Sequence, residues 1–197
     1  MSLKKKNPFI TNNHCIAHRL ALIGKDVANE IPYFKSYEST LKKLYNYFSR
    51  SYKRMKNLRM LQEQDDDDPG LTILNLVTTR WLSLSNTDTN LHNGLYTIMD
   101  ALQSDINNNE CDDIQIPQEI YNEISDSDFI IATKFLADIL YIFKFLMLVF
   151  QKDYITLSDI HYILELTINA INVDFVGIDN VPPTYGNHLL NICKKII

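Results

Sequence analysis

Cysteine is scarce in this chain, and the three present, Cys15, Cys111 and Cys193, fall in no paired motif. Such spacing excludes a secreted disulfide framework and a cysteine-rich zinc finger, and it suits a reducing compartment. Glycine is scarce too, five in the chain, and none of them builds a phosphate-cradling loop. Acid is scarce over residues 1–60, where Asp26, Glu30 and Glu38 stand against 13 Lys and Arg. A membrane-length apolar run free of charge is also missing. The nearest candidate, FIIATKFLADILYIFKFLMLVF at 129–150, carries Lys134, Asp138 and Lys144. Each charge at the centre of a bilayer costs about 3 kcal/mol, so the segment reads as a buried core helix. The opening MSLKKKNPFITNN is basic with no apolar stretch behind it, and no signal peptide is expected.

What is present suffices for a core. The chain is 46% hydrophobic, and its 197 residues fit one ordinary domain, or one domain plus a piece of another. Charge is unevenly divided. Residues 1–60 carry a net charge of +10, whereas residues 61–197 hold 6 basic residues against 21 acids, a net of −15. Such a split marks a polyanion-facing half, or two halves that attract each other. Three stretches break the chain: the acidic linker QEQDDDDPG at 62–70, the polar SDINNNECDDIQIPQ at 104–118, and GIDNVPPTYGN at 177–187 with two prolines.

Between the breaks the pattern is helical. Asn12 or Asn13 is a candidate cap for a helix reaching about Ala28, with Ile16, Leu20, Ile23 and Val27 on one face and His14, His18, Ala21 and Lys25 opposite. The segment 35–61 places Leu41, Leu44, Phe48, Tyr52 and Met55 on one side and Lys42, Lys43, Arg50, Lys53 and Arg54 on the other. Ser49 and Ser51 can instead divide it into two helices, with Ser51 as a new cap. LTILNLVTTRW at 71–81 is short, rich in β-branched residues and preceded by Pro-Gly, the strongest strand signal in the chain. Helices follow at 84–102, at 128–151 and at 157–172, the last capped by Thr156 or Ser158 with Asp159 near its positive end.

Few motifs point to chemistry. His14 and His18 have the spacing of a zinc-gripping helix, but Cys15 stands where a metalloprotease needs its glutamate, and no third ligand follows. Cys15 and His18 are neighbours on a helix, yet nothing nearby supplies an oxyanion hole, and a lone cysteine is usually a small buried hydrophobe. The carboxylates Asp65 to Asp68, Asp112–Asp113 and Asp126/Asp128 sit in loops or at helix starts. The segment 42–59 is more informative, because Tyr45, Tyr47, Phe48 and Tyr52 interleave with seven Lys and Arg. Cations neutralise phosphates and aromatic faces stack on unpaired bases. An amphipathic helix with a solvated cationic face has the same composition.

HCIAHRLAL at 14–22, followed some sixty residues later by TTRWLSL, resembles the transposases of the hAT superfamily. Cys15 and His18 are similar to that family's C-x-x-H signature, and Arg80 and Trp81 to its Arg-Trp signature. The helical stretches between and after them resemble a branch of domesticated, hAT-derived zinc-finger proteins, some of them called SUMO-ligase-like. The resemblance implies a mainly α chain with a partial RNase H-like core over 1–83, whose fifth strand is 71–79, and an all-helical insertion domain over 84–197. It implies that Trp81 stacks on a base flipped out of DNA, and it gives a nuclear location. In the family two Asp and one Glu hold divalent metal. The first two lie upstream of the C-x-x-H helix, and this chain has no acid before Asp26. An internal piece without catalysis, metal or cofactor is therefore expected. DNA is the expected partner, met by Lys42, Lys43, Arg50, Lys53, Arg54, Lys56 and Trp81. The alternatives are a protein-interaction module binding nuclear proteins, or a fragment with no selected function; no membrane partner is expected.

Overall fold

The computed structural model of the chain describes residues 16–64, 81–108, 114–152 and 154–177. The protein is mainly α. Among the described residues seven α-helices run in order: α1 Ile16–Glu30, α2 Pro32–Ser49, α3 Tyr52–Gln62, α4 Trp81–Asn107, α5 Gln115–Ser125, α6 Ser127–Phe150 and α7 Leu157–Ile171. A single π-helical turn, Asn172–Val176, follows α7 and ends at Gly177, whose φ of 89° a side chain would disfavour. Among the described residues there is no strand, and the strand expected at 71–79 lies outside them.

The helix boundaries have local causes. Ile31 is extended (φ −101°, ψ 104°) because the ring of Pro32 disfavours the helical region for the residue before it. Pro32 then occupies the first turn of α2, where a missing N–H costs nothing. The segment 35–61 divides at Ser51, which is extended and accepts from the Arg54 backbone N–H at 3.4 Å. That break has a consequence for Tyr52. Continuous helix would place it beside Phe48, but the restart turns it outward, and it is 83% exposed while Phe48 is fully buried. Replacing Ser51 with alanine should cost about 1 kcal/mol in urea denaturation. Asp126 caps α6 by accepting from the Asp128 N–H at 3.2 Å. Thr156 and Asp159 form a reciprocal capping box on α7, and its hydrogen bonds hold the Asp159 carboxyl below the usual range.

The helix α5 falls partly in what reads from sequence as a polar break. Its Pro117, Ile120 and Ile124 are buried, and its other positions are mostly polar. The helix α4 is longer than the pattern 84–102 suggests, because Ala101, Leu102 and Asp105 remain buried to its last turn. One hydrophobic cluster runs from Phe34, Tyr37, Leu41, Leu44 and Phe48 of α2 through Leu91, Leu95, Ile98 and Leu102 of α4 to Ile120, Ile124, Phe129 and Leu140 of α5 and α6. Fully burying a side chain of this size stabilises the fold by roughly 2 kcal/mol. The apolar segment 129–150 contributes a buried face of Phe129, Leu136, Leu140, Leu146 and Met147 and is amphipathic only in part, since Tyr141, Phe145 and Leu148 are exposed. Among the described residues no helix is long and apolar enough to cross a membrane. Between α1 and α6 lies an apolar cleft of about 280 Å³, lined by Ile23, Val27, Phe135, Ile139 and Met147 among others.

Candidate nucleic-acid interface

The basic residues of α2 and α3 fall into two groups. The first is tied to the rest of the fold. The Lys43 ammonium donates to the Glu123 carboxylate of α5, which also accepts from Thr40 at 2.7 Å. Lys42 stands 3.6 Å from Glu38 one turn earlier on α2. Arg54 lies over the Tyr47 ring, 4.1 Å from its centroid, and donates to the Tyr47 carbonyl at 3.3 Å. A guanidinium on an aromatic face combines cation–π attraction with packing, so Arg54 acts as a clamp across the α2–α3 corner.

The second group faces solvent. Arg50, Lys53, Lys56 and Arg59 are all exposed, as are Tyr52 and Met60. Positions 52, 53, 56, 59 and 60 recur at three and four residues, so they share one face of α3. The sequence of α3, YKRMKNLRMLQ, contains no acid. Exposed cations of this sort add little to stability, and Arg50, Lys56 and Arg59 present their charge to solvent, where a ligand can meet it. Arg59 extends the row beyond the positions singled out from sequence, while Lys42, Lys43, Lys53 and Arg54 have interactions within the chain. Tyr45 is half-buried.

The family-motif positions are less informative. Cys15 and Arg80 lie outside the described residues, His18 is exposed on the first turn of α1, and Trp81 is the first residue of α4. Among the described residues no three His, Cys, Asp or Glu side chains are grouped to hold a metal ion.

Sequence reasoning missed three carboxylates that fasten α2 to its neighbours. Tyr47 donates to Asp105 Oδ2 at 2.8 Å, and Glu123 receives Thr40 and Lys43 as above. The third is Asp88, fully buried on α4 and joined by the Tyr37 hydroxyl, which donates to its Oδ1. Thr133 Oγ1 of α6 lies 3.1 Å from the Tyr37 oxygen and donates to the Phe129 carbonyl at 2.9 Å. Asp88 Oδ2 has no hydrogen-bond partner. Burial pushes the Asp88 carboxyl up to about 8, against the opposing pull of the Tyr37 hydroxyl and the Lys134 charge. The same burial, with Asp88 beside it, raises the Tyr37 hydroxyl well above its ordinary value. Perturbed carboxyls also occur in catalytic clefts, but Asp88 is 0% exposed and has no face open to a substrate. The cluster joins α2, α4 and α6.

Comparison with protein-family models, with curated proteins and with solved structures gives no match to this chain.

Proposed function

We propose that this protein is a hAT-transposase-like, nucleic-acid-associated chain without catalysis of its own, binding phosphate backbones through the α2–α3 corner. One observation carries the binding: the exposed row Tyr52, Lys56 and Arg59, with Arg50 beside it, on a helix without a single acid. Residues 61–197 bear a net charge of −15, so the field elsewhere repels a polyanion and confines it to this corner. The hAT-like reading rests on Cys15, His18, Arg80 and Trp81 in order along the sequence. Under it residues 1–25 hold none of the acids of the family's two-metal chemistry, and the reading assigns these residues to binding and not to cleavage.

Gel-shift titration of a duplex at increasing salt tests the binding. Affinity should fall steeply as salt rises, because each phosphate contact releases condensed counterions. Reversing both Lys56 and Arg59 to glutamate should weaken binding by more than about tenfold and flatten the salt slope by about two contacts. Affinity indifferent to salt, or none at all, ends this reading. The protein-interaction reading draws on the apolar cleft between α1 and α6; a complex with a nuclear protein that outlasts nuclease digestion would favour it.

A further inference from the structure

We infer that the α3 corner takes single-stranded nucleic acid in preference to duplex, with Tyr52 stacking on an unpaired base while Arg50, Lys56 and Arg59 meet the flanking phosphates. This rests on the nucleic-acid reading above and adds the class of strand. Phosphates are common to both forms, so the cations alone do not choose between them. The aromatic ring does. Bases within a duplex are already stacked on one another, and an exposed tyrosine finds a π-face only on a base that is free.

Tyr52 is 83% exposed. Its neighbours on α3 are set by the helix: at 1.5 Å per residue, Lys56 stands about 6 Å along the axis and Arg59 about 10 Å. The cations therefore run in a line away from the ring, while Arg50 precedes it just outside the helix. A strand with its base on Tyr52 can lay consecutive phosphates along that line. The corner is also held in advance of binding. Ser51 caps α3, and Arg54 grips both the ring and the carbonyl of Tyr47 on α2, so the angle between Arg50 and Tyr52 does not have to be ordered by the ligand.

Other tyrosines are exposed, but their surroundings differ: Tyr154, 97% exposed, lies outside any helix and follows Asp153 in sequence, and Tyr33 is under the charges of Asp126 and Asp128. Tyr96, Tyr141 and Tyr162 are each 61–71% exposed, and each has an acid one turn away on its own helix: Asp100, Asp138 and Glu165. A carboxylate at that distance repels the phosphate that a stacked base would bring. Tyr52 has no acid at the equivalent places and has Lys56 at one of them.

The test is fluorescence anisotropy on the full chain, with a labelled mixed-sequence strand that does not pair with itself and the same strand annealed to its complement, at equal salt. The strand should bind about tenfold tighter than the duplex, Tyr52→Ala should reduce strand affinity by about tenfold with duplex affinity unchanged, and Tyr52→Phe should retain the preference. Circular dichroism confirms that both variants fold. Equal binding of strand and duplex overturns this inference and leaves the general nucleic-acid reading standing. So does an alanine variant that weakens both forms by the same factor, or neither. Binding to neither form overturns both.

Discussion

Replacing Asp88 with asparagine flattens the pH dependence of stability and leaves the variant more stable than the parent at slightly alkaline pH. In the unfolded chain this carboxyl ionises at 3.8; in the fold, desolvation moves it to about 8. Between those two values the folded protein keeps a proton that the unfolded chain has released. Unfolding free energy therefore declines as pH rises, by about 1.4 kcal/mol for each unit. The contribution is complete below the unfolded value and is gone once pH has climbed through the folded one. From about pH 5 to about pH 8 it amounts to a loss on the order of 3–4 kcal/mol. Asparagine does not ionise, is nearly the same size, and keeps a carbonyl oxygen for the Tyr37 hydroxyl. Urea midpoints for the two proteins should converge in acid and separate in base. Curves that stay parallel over the whole range would falsify the buried, proton-holding role given to Asp88. Tyr37→Phe offers a second readout. It removes the hydroxyl whose hydrogen bond favours the ionised carboxylate, so the proton should be held to still higher pH and the declining window should extend further into alkali.

Nothing in the sequence marks Asp88 for this position. It lies in LSLSNTDTNLHNG, where polar residues dominate, and its neighbours Thr87 and Asn90 look as suited to solvent as it does. Burial of a polar residue becomes visible only when the partner from another helix is known, and Tyr37 is 51 residues away. Local signals fared better. The caps at Ser51 and Thr156 were legible because each is set by a hydroxyl and an amide three residues on. The periodicity of Leu41, Leu44 and Phe48 marked a buried face correctly, and it misled at Tyr52 because a helix restart resets the phase. The helix α5 had a signal in Ile116, Ile120 and Ile124 at steps of four, but Ile116 is 49% exposed and the surrounding Asn, Asp and Gln read as loop. At the candidate interface, the count of cations was plain from sequence. Which of them were already engaged was not, because Glu123, the partner of Lys43, is 80 residues distant.

Phe48→Ala should destabilise the protein by about 3–5 kcal/mol, and should do so in one transition. Phe48 is fully buried and meets the Tyr47 ring edge-on at 5.2 Å, so truncation both removes apolar area and leaves a cavity among rigid neighbours. The number of transitions bears on how the chain is divided. A boundary at 83/84 falls within the first turn of α4 and places Phe48 in one part and the rest of α4 with α5 to α7 in the other. Yet the buried cluster passes across that position, and so do the bonds of Tyr37 to Asp88, Tyr47 to Asp105, and Thr40 and Lys43 to Glu123. If these contacts couple the two parts, urea curves followed by far-ultraviolet circular dichroism and by aromatic fluorescence coincide in parent and variant, and both move together. Two separated transitions, with only the first displaced by the substitution, would show instead that the basic helices form a unit of their own. The outcome also governs the nucleic-acid corner. With a shared core, α2 and α3 hold Arg50, Tyr52, Lys56 and Arg59 in place only while α4, α5 and α6 are folded against them, and the acidic part of the chain becomes the scaffold on which the basic part is displayed.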